Sequence, residues 1–277
     1  MRMCQVLEVS ENGYYNWRKR GKSKRKQEDE ELTERIEDAY QQHGGKYGSP
    51  RIHAALKTQG VHCGKKRVAR LMREKELSAR RRRRKARTTN SQHRFPIAPN
   101  LLNRDFEAAA PNKKWVADIT FIETREGWLY LSGVLDTYSR KIVGWAMDKQ
   151  HNTNLVEEAF QMALLARHPS SGLIHHSDRG SEYASVRYQT LLHQHGIQAS
   201  MSRKGDCYDN AMMESVWATV KEECCGNHLF ATRNEAKAAI FAYIEVYYNR
   251  KRLHSSLGYM SPVEYETQGK RKEEAFS

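Results

Sequence analysis

Three acidic residues stand where their neighbours give them chemistry to do. Asp118 interrupts the apolar run WVADITFIET, Asp178 follows LIHHS, and Glu214 falls inside DNAMMESVWATVKEE. A carboxylate within an apolar strand is costly without a partner, and clustered carboxylates repel one another unless cations lie among them. Ligation by oxygen alone suits hard ions such as Mg²⁺ or Mn²⁺. Two such ions, about 3.5–4 Å apart, can activate an attacking oxygen and stabilise the leaving one in an in-line displacement at phosphorus. Lys221 shares a helix face with Glu214 and Trp217 and is placed to hold a DNA phosphate beside the ions. Asn210, one turn before Glu214, joins it as an expected DNA contact. Singly, any of these acids could be a cap, a turn residue or a surface charge. Asp136 reads as a strand-end or turn residue and Asp209 as a helix cap, while Glu123 and Glu182 could support the site without being ligands. His175 and His176, inside a strand, could be metal ligands but read as packed side chains.

The elements that must position these groups follow from the pattern. WVADITFIET, WLYLSGVLDTYS and KIVGWAMD alternate as three strands, with a turn at 125–127 and another at 139–141. Thr153 to Arg167 carries an apolar face at helical spacing, GLIHHSD is a short buried strand, 184–195 a helix, IQASMS a strand and 209–224 a helix. The order β-β-β-α-β-α-β-α with short connections predicts a mixed α/β sheet covered by helices. It places Asp118 mid-strand, Asp178 at a strand's C-terminal edge and Glu214 early in a helix. Ligands gather beyond strand ends in open α/β sheets, which makes the position of Asp178 accessible.

Charge separates the chain in two. Residues 1–110 hold 27 Lys and Arg against 13 Asp and Glu, whereas residues 111–277 hold 20 of each, so the net +14 sits entirely in the first part. Basic side chains bind phosphates by releasing condensed counterions, and this asymmetry points to a nucleic-acid-binding arm. Residues 30–42, 49–58 and 65–76 read as three short helices joined by glycine-containing turns, with Ser49 as the cap of the second. That is the pattern of a helix-turn-helix whose last helix brings Lys65, Lys66, Arg67, Arg70 and Arg73 to the major groove. A small helical bundle with solvated charges is the competing reading. The run containing Arg81, Arg82, Arg83 and Arg84 reads as an extended basic linker able to follow a DNA backbone. The expected segments are 1–29 (helical fragment), 30–79 (DNA-binding domain), 80–112 (linker), 113–225 (catalytic core) and 226–277 (helical extension). Five cysteines without a CxxC pair fit reduced thiols. Nothing approaches the roughly 18 apolar residues of a membrane span, and with no secretory signal the expected location is the bacterial cytoplasm, at the nucleoid.

WVADITFIET, HHSDRGSEY and DNAMMESVWATVKEE together resemble the three signature blocks of the DDE transposases of the insertion-sequence three group, in particular their second-reading-frame protein, OrfB. The 59 residues between Asp118 and Asp178 and the 35 between Asp178 and Glu214 agree with that family. So do Lys221, YGSPRIHAALKTQG with KRVARLMREKEL, and YYNRKRLHSSLGYMSPVEYE. Val216 and Ala117 depart from the residues the family favours, without touching a ligand. The resemblance implies an RNase H-like, integrase-type core preceded by an all-α helix-turn-helix. It implies metal-dependent nicking of one strand at an element end and transfer of the freed 3′-OH, with Mg²⁺ as cofactor. Its partners would be double-stranded element ends and target DNA, the first-frame protein OrfA (as a partner or a frameshift fusion) and further copies of the chain. Two rivals stand beside it. One is a retroviral-type integrase or RNase H-like nuclease, which the lack of a His/His/Cys/Cys pattern in residues 1–110 opposes. The other is a transposase-derived regulator, which the intact carboxylates oppose.

Overall fold

Two units divide the chain, residues 1–80 and 81–277. The computed structural model describes residues 4, 6–79, 95–204, 206–226 and 228–276. Arg81 to Arg84, expected to meet DNA, lie outside the described residues.

The first unit is helical: α1 (Glu11–Lys19), α2 (Lys24–Gln42), α3 (Ser49–Thr58) and α4 (Lys65–Glu74). Ser10 caps α1 by accepting from the Gly13 amide, as Ser23 caps α2 through Lys26. The Ser23 cap and the helix-favouring charged residues that follow explain why α2 starts well before residue 30. Ser49 is the first helical residue of α3 rather than its cap; Gly48 takes the cap position and Pro50 sits in the first turn, where a missing amide hydrogen costs nothing. Leu32, Ile36 and Ala39 of α2, Ile52 and Leu56 of α3, and Val68, Leu71 and Met72 of α4 are buried. Asp29 of α2 accepts from Arg67 at 2.5 Å and from Arg70 at 2.6 Å, tying α2 to the basic helix.

The second unit is built on five strands: β1 (Lys114–Thr124), β2 (Gly127–Asp136), β3 (Lys141–Asp148), β4 (Ile174–Ser177) and β5 (Gln198–Met201). They lie in the order β3-β2-β1-β4-β5. The first three pair antiparallel, and β4 and β5 run parallel to β1. With helices on both faces this is the α/β RNase H-like arrangement. On one face α5 (Thr153–Arg167) and α7 (Val186–Gln194) cover Trp115, Ala117, Val134 and Val143. On the other, α8 (Ala211–Val220) and α9 (Arg233–Ala242) cover Val116, Ile122, Leu129 and Leu131. Gly144 sets the approach of α5, because a Cβ there would stand 2.1 Å from the Ala159 carbonyl oxygen.

Two expected helices are subdivided. The segment 184–195 becomes α6 (Ser181–Ala184) and α7, broken at Ser185, whose backbone turns extended and whose hydroxyl caps α7 through Tyr188. The segment 209–224 becomes a 3₁₀ turn (Cys207–Asn210), α8, and a wider π turn (Lys221–Cys225). Asp209 is not the cap. Asp206 caps the 3₁₀ turn through the Tyr208 amide, and Asp209 is buried instead.

Residues after α8 belong to the same core. Ala236, Ile240, Tyr243, Ile244 and Tyr248 pack into the face covered by α8. Within the π turn, Glu223 is buried and accepts from Arg252 and from the Tyr243 hydroxyl at 2.8 Å. Asn249 both donates to the Ile142 carbonyl and accepts from its amide, each at 3.0 Å, and so occupies part of the exposed edge of β3. α10 (Pro262–Phe276) is held by Glu266, which accepts from Arg167 and Ser139; Arg167 also binds Asp136 at the end of β2.

The β4 histidines are both interior. His175 meets the Tyr188 hydroxyl, and His176 bonds Ser200 and Ser202 through its two ring nitrogens. Burial drives His175 down to about 3 and His176 down to about 4. Both are therefore neutral in the fold, while the unfolded chain takes up protons near 6.5. Stability is accordingly full above pH 6.5 and falls as the pH drops from there toward 4, by at most about 1.4 kcal/mol per pH unit per histidine. Denaturant midpoints at pH 7 and pH 5 check this; a midpoint insensitive over that window contradicts neutral burial. Gly144→Ala is expected to cost about 2–3 kcal/mol by forcing α5 off the sheet, read as a lower melting temperature.

Candidate active site

The site begins at an asymmetry of β1. Its pairing with β2 runs the whole strand, but its pairing with β4 covers only Lys114 to Val116. Beyond that point β4 ends and the chain turns away, opening a notch along the edge of β1. Asp118 stands beside the notch, and Asp178 is the first residue after β4. The Asp178 carboxylate accepts from the Gly180 amide at 2.9 Å, which fixes it in the turn leading to α6. A Cβ on Gly180 would stand 3.0 Å from both Asp178 Oδ1 and Glu182 Oε2, so a side chain there would crowd both acids.

Glu214 arrives from the opposite layer, in the first turn of α8. The approach of that helix is set by Gly133, the cross-strand partner of Asp118. A Cβ at Gly133 would lie 2.5 Å from the Trp217 ring, so the indole occupies the space a side chain would need. Trp217 follows Glu214 by three residues and shares its face. Its seat on Gly133 therefore brings Glu214 toward Asp118 and leads on to Lys221. Asn210 closes the start of the helix: it is buried, and its side-chain amide donates to the Ala117 carbonyl at 3.4 Å on the open edge of β1. It serves as an internal tie between α8 and β1.

The electrostatics follow from this convergence. Asp118 is pushed well above the usual carboxylate range, first by desolvation, then by the charge of Asp178, with Glu214 adding to the effect and Lys221 opposing it. A carboxylate so disfavoured as an anion lies in a field that divalent cations relieve. The donors are all oxygens, the set that hard cations prefer. Among the described residues, no three His, Cys, Asp or Glu side chains already converge as a metal-binding group. The three acids thus sit within one another's field without closing on a common point. Lys221 lies with its ammonium 4.3 Å from the centroid of the Phe121 ring.

Asp209, Phe121 and Gly133 contribute in ways that spacing did not reveal. Asp209 accepts from Arg203 through both the backbone and the guanidinium, and from Asn100 and Arg104. The Arg203 bond, opposed by burial and aided by Arg104, holds it well below the usual carboxylate range. It is a buried anchor that secures the loop before α8. The legible signal was Gly133, a glycine in a strand interior and so a mark of close approach.

In the helical unit, Lys65, Lys66 and Arg73 are exposed on α4. Arg67 and Arg70 turn inward to Asp29 instead, so the structure commits them to holding α4 on α2.

Comparison with known proteins agrees with both units. A family model described as an integrase core domain matches residues 108–207, and a second integrase core model matches residues 195–262. A model described as an HTH-like domain matches residues 26–85. The chain is 47% identical over 263 residues to the insertion element IS600 uncharacterized 31 kDa protein of Shigella sonnei, covering 95% of this chain and 97% of that one. It is 47% identical to the transposase for insertion sequence element IS904 of Lactococcus lactis subsp. lactis (strain IL1403), over 88% of this chain and 96% of the relative. It is 40% identical to the transposase InsF for insertion sequence IS3A of Escherichia coli (strain K12), over 95% and 92% of the two chains. Such identity, sustained over nearly the full length of each partner, fixes the family: the chain belongs to the IS3-family insertion-sequence transposases, DDE polynucleotidyl transferases with an integrase core.

Proposed function

We propose that Asp118, Asp178 and Glu214 are the catalytic, metal-holding residues with which this transposase nicks a strand at an element end and transfers the freed 3′-OH. The observation that carries the assignment is the approach of the three acids to the open edge of β1, where desolvation first, and then the charges of Asp178 and Glu214, push Asp118 well above the usual carboxylate range. Loaded with two divalent cations, Mg²⁺ by preference, such a group supplies Lewis-acid activation of the attacking oxygen and charge neutralisation on the leaving one. The remaining work falls to the chain itself. Lys221, steadied against Phe121, holds a phosphate oxygen beside the acids. The Asp178–Gly180 turn and the Trp217–Gly133 seat keep two carboxylates from retreating under their repulsion.

Lys65, Lys66 and Arg73 are proposed as phosphate contacts of the helix-turn-helix, with Arg81, Arg82, Arg83 and Arg84 following the backbone beyond it. The further elements of the reading are a first-frame partner protein, more than one copy of the chain at the paired ends, and a cytoplasmic, nucleoid location. No helix among the described residues is long and apolar enough to cross a membrane.

Two outcomes test the assignment. Asp118→Asn, Asp178→Asn and Glu214→Gln should each lower nicking of a labelled element-end duplex in Mg²⁺ by on the order of 10³-fold or more while end binding persists. Loss of binding in all three would signal misfolding and sink the assignment. Neutralising Lys65, Lys66 and Arg73 should flatten the dependence of log K on log salt by about one per lost phosphate contact; an unchanged slope removes them from the interface.

A further inference from the structure

The hairpin joining β1 to β2 carries an aromatic residue that neither the core nor the carboxylates use. Trp128 is 45% exposed although it lies only one residue into β2. Its ring meets Phe121 edge to face, with centroids 4.9 Å apart at 86°. Phe121 is in turn the ring beneath Lys221, whose charge reaches Asp118. A continuous path of contacts therefore leads from the exposed indole, through Phe121 and Lys221, to the carboxylate field.

The indole is also held in place, which an idle surface tryptophan has no need of. Thr124 and Gly127 close the hairpin with Thr124 Oγ1 donating to the Gly127 carbonyl at 2.6 Å. The Arg125 amide donates to the Phe230 carbonyl at 3.0 Å. Arg233, at the start of α9, donates its amide to Glu126 and its side-chain Nε to the carbonyl of Trp128 itself, at 3.0 Å. The turn is thus fixed to residues 230 and 233 at Arg125, at Glu126 and at the tryptophan's own carbonyl. A held, half-exposed ring one aromatic contact away from a cation suits single-stranded nucleic acid, where a ring stacks a base and a cation tracks the backbone.

We propose that Trp128, backed by Phe121 and Lys221, is a stacking platform for an unpaired nucleobase of the strand whose phosphate lies at Asp118, Asp178 and Glu214. This rests on the DNA-cleaving reading of those carboxylates. It gives the hairpin a role in holding a base that has left the duplex near the cut. Unstacking costs free energy that a new aromatic partner offsets.

The test is a coupling cycle between protein and DNA. Trp128→Ala, Trp128→Phe and the unaltered full chain are each measured for binding and nicking on element-end duplexes. One duplex is intact, and the others carry a single abasic position at each nucleotide flanking the cut. Trp128→Ala should bind the intact end about ten-fold more weakly, Trp128→Phe close to the unaltered protein. The unaltered chain should lose a similar factor at one abasic position only, and there Trp128→Ala should lose nothing more. Unchanged melting temperatures separate this from a folding defect. Losses that multiply at every position overturn the proposal, as does a Trp128→Ala chain whose only change is its oligomeric state, which would make the indole a protein contact. An unaltered chain that shows the binding coupling but never nicks supports the platform and overturns the catalytic reading instead.

Discussion

Mutual repulsion among three carboxylates is the constraint around which this molecule is arranged. Side chains that disfavour one another's charge stay near only if the backbone carrying them cannot relax apart. Each acid here comes from a different kind of element: a strand interior, a strand end and a helix start. Each element is fastened separately, by the β1–β2 ladder, by the Gly180 amide and by the indole seated on Gly133. Polar fastenings lie around them as well, with Asn210 on the open edge of β1 and Asp209 under Arg203 and Arg104. The free energy that holds the acids is therefore distributed through packing.

Much of this was legible in the residues. Alternation in WVADITFIET and its two successors gave the antiparallel strands, and the α5 pattern gave a helix at its observed limits. Asp118, Asp178 and Glu214 were conspicuous because each broke the apolar texture of its segment. The parts that escaped are those decided by tertiary partners. Local pattern made Asp209 a cap, but two arginines distant from or just before it in sequence claim it as a buried anion. Helical spacing put Arg67 and Arg70 on a DNA-facing side, yet Asp29, nearly forty residues earlier, draws them inward. Periodicity cannot see such pairings, because both the groove-facing and the inward-facing residues of a short basic helix carry the same charge.

The two faces of the sheet divide the labour. The α5 face packs Trp115, Phe160, Tyr188 and Leu192, and its closest approach is set by Gly144. The α8 face is also apolar, and it is there that residues 230–248 return to the core. A match to an integrase core model continuing through residue 262 agrees with this: residues 230–248 belong to the same hydrophobic layer as α8.

Arg252 gives that union a genetic meaning. Its guanidinium neutralises Glu223, buried in the π turn that begins at Lys221. A copy of the gene ending just before Arg252 would keep every described strand and all three acidic blocks, yet take from the buried Glu223 its guanidinium partner, a loss worth about 3–5 kcal/mol. Erosion of an element from its 3′ end can thus unsettle the fold while all three acidic blocks still read as intact.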